Sequence, residues 1–182
     1  MRKNLLPLLI VLLCGDLTWA HLNSFSFSTI EIKEDAIHME LRLTLICTLE
    51  LFPVDTDANQ FLSEEELKAF RSMMYYYLTN KLKILNSGRQ LHLVLKDISF
   101  HVEEDDSYTV FNLVIPLRKP LENVIILCNV LEETDPYHRN LSEIKMKGNE
   151  YLFIFTNDNY FDSSKPPPAN SGKAGLIPSA TP

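Results

Sequence analysis

Ile37-His38-Met39-Glu40-Leu41-Arg42-Leu43-Thr44-Leu45-Ile46-Cys47-Thr48-Leu49-Glu50-Leu51 is the stretch that decides how this chain reads. Apolar side chains hold the odd positions, and His38, Glu40, Arg42, Thr44, Thr48 and Glu50 fill most of the even ones. Successive side chains of a strand point to opposite faces, so this period predicts one long half-buried strand, ended by Pro53.

Upstream, Phe25 to Lys33 alternates through Phe25 and Phe27, then Ile30 and Ile32. Downstream of residue 88 the strand period returns in Gln90 to Lys96, Ile98 to Val102, Tyr108 to Leu117, Asn123 to Leu131, Leu141 to Met146 and Tyr151 to Phe155. Between them lies one helical pattern. Leu67, Phe70, Met74, Leu78, Leu82 and Leu85 recur at steps of three and four, which predicts an amphipathic helix over 63–86, stopped by Asn86-Ser87-Gly88. The fold expected is mainly β: a single β-sandwich of about seven to eight strands with one amphipathic helix following an EF-hand-like loop. Residues 21–162 suffice for one core.

That loop is Asp55-Thr56-Asp57-Ala58-Asn59-Gln60-Phe61-Leu62-Ser63-Glu64-Glu65-Glu66. Calcium is a hard cation that takes about six to eight oxygen ligands, and oxygens at alternate loop positions can curl around one ion. Asp55, Asp57 and Asn59 supply side-chain oxygens at the first, third and fifth positions. Phe61 offers its carbonyl, Ser63 its hydroxyl, and Glu66 closes the set as a bidentate carboxylate. Gln60 stands where the pattern has glycine, so it must take a left-handed backbone at a cost of roughly 1 kcal/mol. The alternative is an acidic turn capped by Ser63, with Glu66 completing a capping box. The loop is entered from a strand, so only the exiting helix of an EF-hand is expected.

Residues 1–20 read as a secretory signal: Arg2 and Lys3 lead, Leu5 to Leu13 form an apolar run too short to span a bilayer, and Thr18-Trp19-Ala20 precedes a cleavage point. The expected location is secreted, or the periplasmic or extracellular face of a membrane. Without Arg2, Lys3 and Asp16, the 17 basic and 24 acidic residues become 15 and 23, a net charge of −8. That balance argues against nucleic acid and anionic membrane surfaces, and suits a cation binder. Cys47 and Cys128 remain after cleavage; they form either one disulfide or two buried thiols. Residues 163–182, rich in Pro, Ser and Gly, read as a flexible tail or linker.

Asp135-Pro136-Tyr137-His138-Arg139 is the second motif. Pro136 sets a bend, Asp135 accepts from the turn or pairs with Arg139, and His138 packs beside it. The functional reading instead makes His138 a metal ligand or proton carrier. Ser142, His138 and Asp135 are too close in sequence to suggest a nucleophile–base–orienter line. The chain has no G-x-S-x-G, H-E-x-x-H or phosphate loop, so no enzyme and no organic cofactor is expected.

Taken together, Ala20-His21, Asp55 to Leu67, Tyr77-Leu78 with Lys81 to Gly88, and Asp135 to Arg139 resemble the extracytoplasmic N-terminal domain of HupE/UreJ-like membrane proteins. The resemblance covers about residues 20–157. It implies an external accessory domain beside a membrane domain or membrane-protein partner. The transport of nickel or cobalt associated with that family belongs to membrane helices that these residues do not include. The resulting expectation is a non-enzymatic, extracytoplasmic calcium-binding domain. The alternative is transition-metal binding or delivery, in which the α-amino group and imidazole of a mature N-terminal His21 chelate Ni2+ or Cu2+.

Overall fold

The computed structural model describes residues 25–103, 106–117 and 121–165. The segment 1–20 read as a signal, His21 and most of the 163–182 tail lie outside the described residues. The chain is mainly β, in two sheets. Its elements are β1 (Phe25–Ile32), β2 (Ala36–Thr44), α1 (Leu45–Leu51), α2 (Glu64–Lys81), β3 (Leu82–Asn86), β4 (Arg89–Gln90), β5 (Val94–Val102), β6 (Ser107–Pro116), β7 (Val124–Cys128), β8 (Arg139–Met146), β9 (Asn149–Phe155) and β10 (Phe161–Asp162). One sheet has the order β5-β6-β2-β1-β8-β9 and the other β10-β7-β3-β4. Every pairing is antiparallel except β1 with β8, which sets Ser26 beside Asn140 and Ser28 beside Ser142.

The long strand expected through Leu51 stops at Thr44. There the Thr44 hydroxyl accepts from the Cys47 amide at 3.3 Å and caps α1, and the Thr48 hydroxyl donates to the Thr44 carbonyl at 3.0 Å. Leu45-Ile46-Cys47 is an unbroken apolar run, and such a run fits a strand and a short helix equally well. Helical spacing wins because it turns Cys47 and Thr48 inward and leaves Ile46 72% exposed.

The helix expected over 63–86 is shorter. Ser63 is its N-cap, and its last residue is Lys81. Leu82 already has extended dihedrals, and Leu82–Asn86 pairs with β7, placing Leu82 against Cys128 and Ile84 against Ile126. Leu82 and Leu85 suit both a helical and a strand register, and the β-branched, buried Ile84 belongs to the strand. Ser87 (φ +48°) and Gly88 (φ +78°) turn the chain into β4. Leu67, Met74 and Leu78 form the buried stripe of α2. Tyr75 donates to the carbonyl of Leu93 just before β5, and Arg71 to those of Leu95 and Lys96 within it, which covers the start of an edge strand.

In β1 the serines, not the phenylalanines, face the core. Ser26, Ser28, Ile30 and Ile32 are buried while Phe25 and Phe27 stay 38% and 40% exposed. A regular strand has a single parity, and Ile30 and Ile32 fix it. The core is therefore graded. Its middle holds Ile30, Ile37, Leu41, Leu113, Ile115 and Ile144, whereas the end nearest α1 carries Ser26, Ser28, Thr48, Thr109, Asn140 and Ser142. Thr48 of α1 donates to Thr109 of β6 at 3.0 Å, which closes that end.

Candidate metal centre

The segment 55–61 of the loop hangs between two buried anchors, Val54 and Leu62. Ala58 (φ +57°) and Gln60 (φ +61°) are both left-handed, so the turn expected at Gln60 is present, with a second one two residues earlier. The loop's amides are gathered by its own oxygens. Asp55 accepts from the amides of Asn59 (3.1 Å) and Gln60 (2.9 Å), and Asp57 from the Asn59 amide (3.2 Å) and side-chain nitrogen (2.8 Å). The Asn59 side-chain oxygen accepts from the Phe61 amide at 2.7 Å. The exposed Phe61 ring meets Phe100 of β5 edge-on at 5.3 Å between centroids.

Glu66 is the inner wall. One carboxylate oxygen accepts from the amide and hydroxyl of Thr56 at 2.7 and 2.8 Å, the other from the amide and hydroxyl of Ser63 at 3.0 and 2.9 Å. The Ser63 hydroxyl in turn accepts from the Glu66 amide, so the capping box and the loop closure are one structure. The Ser63 and Thr56 amides, followed by their hydroxyls, hold the Glu66 carboxyl down at a pKa of about 2. The capping box expected as the alternative reading is thus present, and Glu66 also stands at the closing position of the loop.

Oxygens of Asp55, Asp57 and Glu66 lie within 4.8 Å of one another. Calcium–oxygen distances are about 2.3–2.6 Å, so ligands on opposite sides of one ion stand about 5 Å apart, and the three carboxylates fit a single coordination shell. All six expected ligand positions offer oxygen and none offers nitrogen or sulfur, which suits calcium rather than zinc or copper. A carboxylate has about four lone-pair sites, and the donors from Thr56 and Ser63 engage all four on Glu66. An ion must therefore displace some of them, which lowers affinity.

In the second motif, of the two roles expected for Asp135, the turn is the one present. Among the described residues no ion pair joins Asp135 to Arg139, which is exposed. Asp135 instead accepts from the Tyr137 amide at 2.8 Å, and its carbonyl accepts from the His138 amide at 3.0 Å, around the bend at Pro136. A short acceptor two residues back satisfies a turn more directly than a long guanidinium that gains little in water. His138 is buried, and its Nε2 lies 2.8 Å from the Ser26 hydroxyl. A serine, a histidine and a nearby aspartate thus come together, but with Ser26 in place of Ser142 and with no exposed surface on Ser26. Ser26 was absent from the sequence reading; the one signal for it was the parity of Ile30 and Ile32. Cys47 and Cys128 are free, buried thiols, and burial pushes the Cys128 thiol up to about 12.

No protein-family model matches this sequence, and no curated protein matches it. Among the described residues no helix is long and apolar enough to cross a membrane.

Proposed function

We propose that this chain is a non-enzymatic, extracytoplasmic calcium-binding domain, an external module of the HupE/UreJ-like kind that works beside a membrane partner. The observation that carries the calcium reading is the convergence of Asp55, Asp57 and Glu66 within 4.8 Å in a loop that already has its turns. Asp55, Asp57, Asn59, Ser63, Glu66 and the Phe61 carbonyl would hold the ion. The ion would supply positive charge where three carboxylates repel one another, and would link the end of α1 to the start of α2. An affinity on the order of 10⁻⁴ M, of the extracellular type, fits the internal hydrogen bonds that compete at Glu66. Isothermal titration with calcium tests this directly. Binding lost in Asp55→Asn and Glu66→Gln supports the site; no heat and no thermal shift at millimolar calcium would remove it. The placement beside a membrane rests on the four stretches that resemble that family, and it is tested by locating the tagged protein after cell fractionation.

A further inference from the structure

The edge of a sheet presents backbone donors and acceptors that another strand can take, and proteins commonly block such edges. Among the described residues three of the four sheet edges are blocked. β4 and β10 are each 2 residues long. β5 shifts register between Leu95 and Asp97, and Arg71 and Tyr75 take carbonyls at or just before its start. β9 has none of these devices. Asn149–Phe155 runs for 7 residues in unbroken register with β8 and contains no proline and no lysine.

The turn before β9 decides which of its backbone groups are open. That turn has two residues, Lys147 (φ +51°) and Gly148 (φ +75°), both left-handed, so Met146 and Asn149 face one another as a hydrogen-bonded pair. Hydrogen-bonded and non-hydrogen-bonded pairs alternate along an antiparallel ladder. Glu150, Leu152 and Ile154 therefore turn their amides and carbonyls away from β8. Among the described residues one group reaches this row of backbone atoms: the Asn159 side chain donates to the Ile154 carbonyl at 2.8 Å. The side chains of the same three residues share the outer face of the sheet, where Leu152 and Ile154 stay half exposed. Tyr151 and Phe153 turn to the other face and meet Phe161. From the edge an apolar row runs across the outer face, with Ile154 beside Leu141 and Leu141 beside the exposed Phe27. The solvated face of an antiparallel sheet is ordinarily polar.

We propose that β9 is a self-association edge: two copies of this chain pair β9 with β9 antiparallel about a two-fold axis and join their 6-stranded sheets into one. An antiparallel strand is its own complement, because the axis brings each open amide to a carbonyl of the same row in the other copy. The residues select the register. An axis at Leu152 sets Leu152 against the partner's Leu152, with Glu150 and Ile154 opposite each other on either side. An axis at Glu150 would oppose two carboxylates, and one at Ile154 would run into Asn159 and its turn. At Leu152 the apolar rows meet in the middle of the joint. The two Glu150 carboxylates stand at its opposite ends, each 3.8 Å from Lys145 of its own chain.

Analytical ultracentrifugation of the purified protein from about 1 μM to 1 mM covers the affinities open to so small an interface. The expected mass doubles with concentration in the wild type and stays that of one chain in Leu152→Lys, which would set two cations against each other on the axis. Hydrogen exchange on the wild type reads the contact itself. The amides of Leu152 and Ile154 should slow about tenfold between the lowest and highest concentrations. A single-chain mass across the whole range overturns the proposal. So does a dimer in which those two amides exchange at unchanged rates, because other surfaces would then be joined. Should Leu152→Lys not fold, the wild-type exchange decides alone.

Discussion

Calcium withdrawal is the perturbation that bears most directly on the proposed site. Val54 and Leu62 pin the backbone on either side of 55–61, and Ala58 and Gln60 are already left-handed, so binding requires little backbone rearrangement beyond the side-chain hydrogen bonds it displaces at Glu66. An unfolded chain does not hold Asp55, Asp57 and Glu66 together, so the ion binds the folded state and its binding energy appears as stability. With a Kd on the order of 10⁻⁴ M, 10 mM calcium is about a hundredfold excess and adds about 2.7 kcal/mol. An unfolding entropy of about 2.1 cal/mol/K per residue gives about 0.3 kcal/mol/K for a domain of about 140 residues, so the melting temperature should rise by about 9 °C. Asp57 is exposed and supports only local amides, so Asp57→Asn should leave the calcium-free Tm near its original value. Removing one of the charges that meet the ion should weaken binding about tenfold, which leaves about 1.4 kcal/mol and halves the shift to about 4–5 °C. The assay is differential scanning calorimetry in 10 mM calcium, 10 mM magnesium and chelator at constant ionic strength. Equal Tm values in calcium and chelator would refute the site, and an equal shift in Asp57→Asn would refute the assignment of that ligand.

Three further outcomes are expected. Gln60→Gly relieves left-handed strain that the loop carries without an ion, so stability should rise by about 0.5–1 kcal/mol while the calcium Kd stays fixed; a tighter Kd would mean that the ion imposes the turn. Glu66 is held at about 2 from an ordinary 4.5, so its contribution is complete above about 4.5 and lost as pH falls toward 2; acid unfolding of Glu66→Gln should lack this component. Cys47 and Cys128 should react with a thiol reagent only after denaturation, with no mass change on reduction, and a disulfide detected by mass spectrometry would contradict the two free thiols.

The strands were legible because most of them have one wet and one buried face, so the pattern of period two survives in the sequence. It failed where a sequence satisfies two periods at once. Leu45-Ile46-Cys47 has no polar residue to mark a face, and the Thr44 cap decides for a helix. Leu82 and Leu85 continue the stripe of α2 and also fit a strand, and only the partner strand β7, remote in sequence, selects between them. The approach of Asp55, Asp57 and Glu66 was legible because they lie within one short segment whose spacing sets its geometry. What the sequence did not reveal was the double engagement of Glu66 by Thr56 and Ser63, since Thr56 occupies a loop position that carries no ligand.

The polar end of the core illustrates the harder limit. Ser26 and Ser28 are unremarkable residues in a strand, and hydrophobicity assigns Phe25 and Phe27 to the interior in their place. Their burial is tolerable only because a parallel neighbour more than a hundred residues away brings Asn140 and Ser142 into register, and because the Pro136 bend delivers His138 to the end of the row. None of these residues would be stable there alone, since each buried hydroxyl or amide without a partner costs about 1–3 kcal/mol. Their placement is a property of the set. A reading that asks of each residue whether it is apolar assigns them to the surface one at a time.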